Sequence, residues 1–474
     1  MKKKLLFAVF IVFAAAQIGR AEFLTLQGYV DLVLQNNADF QSVQANIDAV
    51  NGKLAAIERT YSYYLSAGAG YTVDRSQRQS FNGMTIKDLK NVSYDVSVNK
   101  QFETGTQVSV GFNGTYNSVS LLPSGDGASN DLAGPFVRLQ QSLLQEFNGG
   151  STKASLAKAR ADAQSALYLL KYQKQSIILK AKLAYWNLSY ARTVIDFRKT
   201  SLSRTKKILD WNQRRYNLDL AEKTDLLQSQ AALKLGELNL KLAYESELQA
   251  RRNFNVLLNI DSANVNYEVE KFAENGAEYE KGKILEKEGV RADVLSALEN
   301  VKSAQYDQEA QEKTSGADLV LAGQFSLNGV DNEFRDAADY VIHASRPSYS
   351  LSLRYTLPLD FKIRKAVNEG YEAARVSAQK AAQAASITEN NDWLQLVDNW
   401  ENAKSRLTLV VEIRTVQQQR HEEEQSLLKK GRSTTYMVIQ SEQDLDDATL
   451  NVLQGVFELI TIYEQAEAFY KNNY

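Results

Sequence analysis

Strict alternation of apolar and polar residues marks six segments of this chain. Leu65, Ala67, Ala69, Tyr71 and Val73 alternate with Ser66, Gly68, Gly70, Thr72 and Asp74, the period-2 pattern of a β-strand. Val92, Tyr94, Val96 and Val98 alternate with Ser93, Asp95, Ser97 and Asn99. Val108, Val110, Phe112 and Tyr116 face one way in a third segment, with Ser109, Asn113, Thr115 and Asn117 opposite. A fourth carries Val137, Leu139 and Leu143 on one face. Two more come much later, one with Leu319, Leu321, Phe325 and Leu327, the other with Tyr349, Leu351, Leu353, Tyr355 and Leu357. Polar loops near 75–90, 119–134 and 329–347 and a tight turn at Glu103–Thr106 connect them.

Between these segments the period changes to that of a helix. Residues 25–60 predict one, with Thr25 as its cap. A run at 151–217 places Ala181, Ala184, Leu188, Ala191 and Ile195 on one small-residue seam. A break near 218–223 leads to a helix at 224–258, further helices follow at 287–315 and 364–430, and a break at Gly431 leads to a last helix ending near Tyr470. All four prolines (Pro123, Pro135, Pro347, Pro358) lie in or beside the alternating segments. None interrupts the two runs of about 67 residues, each a rod of about 100 Å if unbroken.

The layout repeats. Asn37-Ala38-Asp39 matches Arg291-Ala292-Asp293 at an offset of 254, and Gln228-Ser229 matches Gln440-Ser441 at an offset of 212. Leu139 and Leu353, before the two long runs, are 214 apart. The drop places about 40 extra residues in the first copy, within 76–134, where two additional strands lie; so long a period means a duplicated domain and not a solenoid. The expected organisation is a signal peptide at 1–21 and a first repeat at 22–258 with strands in 65–144. A linker at 259–286 and a second repeat at 287–474 with strands in 318–359 complete it.

Strands of about ten residues with alternating long loops and tight turns, and tyrosines near their ends, fit an outer-membrane β-barrel better than a soluble sandwich. Six strands are too few to close a barrel, and an open edge in lipid leaves backbone groups unpaired. The chain is therefore expected to be an obligate trimer, with about 18 strands if all six join, or about 12 if the extra hairpin stays outside. The charged rods belong outside the lipid. The fold class expected is an α+β membrane protein, about 4 + 2 barrel strands per chain on a long helical coiled-coil tunnel.

Composition narrows the function. Lys2, Lys3 and Lys4 precede the apolar run Leu5–Ala16, and Gly19-Arg20-Ala21 offers a cleavage site before Glu22. The 474 residues carry a formal net charge of −2, and loss of the signal leaves about −6. Nothing points to a nucleic-acid partner. With no cysteine there is no disulfide framework, thiolate metal site or lipid-anchor cysteine. No catalytic or metal constellation and no phosphate-binding glycine loop stands out, so no cofactor is expected and transport energy must come from a partner. His343, His421 and Glu422-Glu423-Glu424 read as solvated.

The chain resembles the TolC-like outer membrane efflux proteins over nearly its whole mature length. Asn37-Ala38-Asp39 and Arg291-Ala292-Asp293 look like the family's Asn-Pro-Asp and Arg-Pro-Asp openings, with Ala in place of Pro. Arg215–Leu220 with Thr224–Gln228 resembles its first tip-turn motif, and Lys429–Tyr436 with Val438-Ile439-Gln440 its second. The resemblance implies a homotrimeric barrel in the outer membrane continued by a periplasmic tunnel. It also implies a passive exit duct for efflux or type I secretion, coupled through a periplasmic adaptor to an inner-membrane transporter. Thr224, Asp225, Gly431, Arg432 and Ser433 then become candidates for closing the mouth or docking the adaptor. Gly431 and Thr224 also suit plain helix capping. Asp219 stands where the family's first turn has Gly, and Met437 and Gln440 stand where some members carry an aspartate ring. The alternative is a structural or adhesive trimer without a gated lumen.

Overall fold

The computed structural model describes residues 23–76, 78–79, 85–122, 127–261, 267–272, 287–331, 336–337, 339, 341 and 347–469. The expected signal segment, His343 and most of the 259–286 linker lie outside them. Seven helices follow the helical blocks of the sequence: α1 (Leu26–Asn36), α2 (Ala38–Glu58), α3 (Gly150–Asn217), α4 (Lys223–Leu257), α5 (Ala292–Thr314), α6 (Phe361–Lys429) and α7 (Thr435–Ala466). Six long strands follow the alternating blocks: β1 (Tyr63–Asp74), β2 (Thr85–Gln101), β3 (Gln107–Leu122), β4 (Ser129–Ser142), β5 (Asp318–Leu327) and β6 (Pro347–Thr356). Helices α3 and α6 run 68 and 69 residues. None of the described helices is apolar enough to cross a membrane.

The helix expected over 25–60 is two helices. Asn37 leaves the helical conformation, its Oδ1 accepts the Phe40 N–H at 3.0 Å, and its Nδ2 donates to the Leu257 carbonyl at 3.0 Å. An asparagine that satisfies backbone groups with its own side chain ends one helix and caps the next. Ala38 and Ala292 are each the first residue of their helix, a position that accepts proline readily. Arg291, just before α5, forms a bidentate pair with Asp293 (2.8 Å each) and reaches Asp392 at 2.9 Å.

The chain divides into two compact units. Residues up to Ile47, Leu169–Asp293 and Ser386 onward form one; Asp48–Tyr168 and Val294–Ala385 form the other. The first is helical. Its core stacks Tyr29 on Phe254, with ring centroids 3.9 Å apart, and the Tyr29 hydroxyl donates to the Phe254 carbonyl at 2.9 Å. Tyr185 donates to the Leu24 carbonyl and accepts from the Glu270 N–H, which fixes a short parallel pairing of Phe23–Leu24 with Glu268–Val269. Burial pushes the Tyr185 phenol up to about 12. Ala181, Leu188 and Ala191 of α3, Leu407 of α6 and Val452, Val456 and Leu459 of α7 are also buried.

The second unit is built on one antiparallel sheet in the order β1-β2-β3-β4-β5-β6. Gly329–Asp331 adds a short pairing to β4, and Arg78–Gln79 one to β2. Strands β2 and β3 run further into the expected loops 75–90 and 119–134 than side-chain alternation indicates. A register irregularity between Ile86 and Asp88 shifts the phase there, so backbone pairing continues while the apolar period is lost. Directly opposed residues share a face, and one row crosses the whole sheet: Leu65, Val98, Val110, Val137, Phe325, Tyr349. The opposite face carries the row Tyr64, Asn99, Ser109, Arg138, Gln324, Ser350. Strands β1 and β6 are the two edges, and their residues are almost all exposed.

Replacing Phe254 with Ala should cost about 3–5 kcal/mol, the range for emptying a packed aromatic site. Tyr29→Phe should cost only about 1 kcal/mol for its hydrogen bond. Urea unfolding of the two variants gives this order if the stacked pair centres the helical unit.

Candidate functional site

The two helix-to-helix turns of the helical unit have the same construction. Helix α3 ends as the Leu220 N–H bonds to the Arg215 carbonyl (2.8 Å) and the Asp219 N–H to that of Tyr216 (3.0 Å). Helix α6 ends as the Arg432 N–H bonds to the Leu427 carbonyl (2.8 Å) and the Gly431 N–H to that of Leu428 (3.0 Å). Both are Schellman stops, which need a left-handed residue at C′. Gly431 supplies it at φ 73° and Asp219 at φ 58°. Aspartate is among the few side chains that tolerate this conformation, so the first turn closes without the glycine.

The cap assignment changes in one place. Glu222 is the N-cap of α4, and Thr224 lies inside the helix, exposed. The threonine that caps is Thr434, whose Oγ1 accepts the Met437 N–H at 3.3 Å. Of the other candidates, Asp225 is half-buried and its carbonyl accepts the Ser229 hydroxyl at 2.9 Å. Ser433 donates to the Glu424 carboxylate, and Gln440 donates to Asp444 at 2.9 Å. Among the described residues, the Asp225 carboxylate and the Arg432 guanidinium have no partner. Leu218, Leu220, Leu227, Tyr436 and Met437 are exposed around the turns.

Behind the turns lies a buried polar layer that links the two hairpins. Asn212 of α3 donates to Ser229 of α4 and accepts the Thr435 hydroxyl of α7 at 3.1 Å. All three residues are buried, two of them completely. Deeper in, Arg204 of α3 sits between Glu442 and Asp446, one turn apart on α7, with Nη2 2.7 Å from Asp446 Oδ1. His421 of α6 places Nε2 2.8 Å from Glu442 Oε2 and Nδ1 2.9 Å from Ser441 Oγ. His421 was expected to be solvated; it is 4% exposed because both ring nitrogens face partners inside the packed helices.

Burial pushes the Glu442 carboxyl up, but hydrogen bonds from His421 and Arg204, and their charge, outweigh it and hold it below the ordinary range. At Asp446, burial wins, aided by the Glu442 charge, over the Ser201 hydroxyl and the two nearby arginines, Arg204 and Arg198. Sequence reading missed this layer. The one signal available was the repeated Gln-Ser pair, since Ser229 and Ser441 are both fully buried hydrogen-bonding serines.

With open space around Gly431, Gly431→Ala should cost about 1–2 kcal/mol through the backbone alone, and Asp219→Gly should stabilise slightly, as read by urea unfolding. Arg204→Met should cost about 3 kcal/mol at neutral pH, the low end for breaking a buried pair because this guanidinium is partly solvated. A lowered Glu442 stabilises above the ordinary carboxylate value and loses this as pH falls through its folded value. A raised Asp446 contributes fully below the ordinary value and loses this as pH rises through its folded value. Removing Arg204 favours the protonated form of both, so the Arg204→Met deficit should shrink on acidification in thermal melts at pH 7 and pH 5.

No family model matches the sequence, and no curated protein matches it significantly. Solved structures do match. The outer membrane protein VceC of Vibrio cholerae aligns with a TM-score of 0.66 at 14% identity, covering 94% of this chain and 96% of that one. The CmeC outer membrane channel of Campylobacter jejuni aligns at 0.64 and 13%, covering 94% and 85%. The MtrE outer membrane channel of Neisseria gonorrhoeae, in its open state, aligns at 0.62 and 15%, covering 94% and 88%. The chain shares the TolC-like fold of these outer-membrane channels.

Proposed function

We propose that the chain is the protomer of a homotrimeric outer-membrane channel-tunnel with its helical unit in the periplasm. It is a passive exit duct of a tripartite efflux or type I secretion system, and its helix tips open when a periplasmic adaptor and an inner-membrane transporter engage. The observation that carries this reading is the sheet: one apolar face, one polar face and two open edges. Such a sheet is stable in lipid only when its edges are covered. Outer-membrane lipid then meets the apolar face, and the polar face lines water.

At the tips, the gating reading rests on what the chain leaves unsatisfied. Asp225 and Arg432 keep their charges for contacts beyond the protomer, while Thr224, Ser433, Met437 and Gln440 flank them on the same two helix starts and stops. The exposed apolar side chains around the turns suit an adaptor's docking surface. A structural or adhesive trimer needs neither a conducting lumen nor free charges at the turns.

Single-channel recording in planar bilayers separates the two. The duct should conduct, and Asp225→Ala or Arg432→Ala should raise its open fraction if these charges hold the mouth closed. A trimer that inserts but never conducts, in wild type or either variant, contradicts the duct. Conduction that neither variant alters contradicts the gating assignment alone.

A further inference from the structure

Resting on the trimeric-channel reading, we infer that the β2–β3 hairpin is part of the barrel wall, so that three copies close an 18-stranded barrel through β1–β6 seams. Four observations within the sheet unit carry this. The hairpin is paired along both flanks, β2 to β1 from Tyr63/Lys100 to Asp74/Leu89, and β3 to β4 from Gln107/Gln140 to Ser118/Ser129. It thus separates β1 from β4, and among the described residues no strand pairing joins those two directly.

The hairpin also carries both faces of the wall. In the apolar row its members are Val98 and Val110; in the polar row they are Asn99 and Ser109. A hairpin held outside the membrane has no reason to keep this phase with its neighbours. Its tight turn is locked under the start of α3 as well. Gly149 stands at φ 75°, where a Cβ would come within 1.8 Å of the Glu103 carbonyl oxygen. Gly105 stands at φ 78° against Glu146, and Thr106 donates to Gln141.

The edges identify the partner as another copy of this chain. Six strands in antiparallel succession leave β1 and β6 running in opposite directions. A head-to-tail copy therefore places β6 against β1 in antiparallel pairing, with the apolar stripe Tyr63–Tyr71 beside Tyr349–Tyr355. In each stripe tyrosines bracket smaller apolar residues, as aromatic girdles do. With strands about 4.8 Å apart and tilted about 40°, 18 strands give a barrel about 36 Å across, against about 24 Å for 12. A wall this wide admits bulky cargo, and size selection falls to the helix tips.

The absence of native cysteine allows a direct test. Single cysteines at Val98, Val110, Asn99, Ser109 and, on β6, Leu351 are labelled with bimane in the full-length protein in vesicles containing brominated lipid. Labels at Val98 and Val110 should be quenched as strongly as at Leu351, and those at Asn99 and Ser109 should respond only to aqueous quencher. Quenching at Leu351 but not at Val98 and Val110 overturns the hairpin's place in the wall and leaves the channel reading intact. No quenching at Leu351 overturns the membrane barrel itself, and this inference with it.

Discussion

A peptide group in hydrocarbon has no water to bond, and each one left unpaired costs several kcal/mol. In the proposed membrane channel, that constraint governs the sheet unit. Six strands hydrogen-bond each other in simple succession and leave a full row of donors and acceptors on β1 and another on β6. Among the described residues, both strands are exposed along nearly their whole length. The even strand number makes the two edges complementary to each other, and the proposed trimer would satisfy them by cyclic closure. The β2–β3 hairpin adds two strands and so keeps the number even, which preserves the opposite directions of the two edges.

The helical unit follows a different rule. Its turns and caps satisfy the backbone within one chain, through paired Schellman stops at Asp219 and Gly431 and the Thr434 cap. Its buried polar layer is also held within the chain: Asn212 bridges Ser229 and Thr435, and Arg204 and His421 both contact Glu442. Such a layer fixes how the hairpins pack because an unpaired member would carry the full cost of desolvation. The Asp225 carboxylate and the Arg432 guanidinium stand outside this layer, beside exposed apolar side chains.

Much of the fold was legible because period and proline placement are local signals. Val92–Asn99 and Tyr349–Thr356 announce strands through alternation alone, and the repeat offsets placed the extra residues between β1 and β4. The outer reach of β2 was hidden by the irregularity at Ile86–Asp88, which breaks the alternation without breaking the ladder. Caps were less readable. Thr224 has the right side chain for a cap but sits two residues inside the helix, because Glu222 takes the turn's last extended position. His421 looked solvated among charged neighbours, since its partners Ser441 and Glu442 are about 20 residues away on another helix. Charge networks of that kind depend on which helix faces meet, and nothing in a single helix's period states it.

The most direct test of this account is a cryo-electron microscopy reconstruction of the full-length protein in lipid nanodiscs. A trimer with a closed barrel of about 18 strands, each β1 paired with a neighbour's β6, is the result expected. A barrel of about 12 strands with the β2–β3 hairpin outside it, or a particle with no shared barrel, would contradict it.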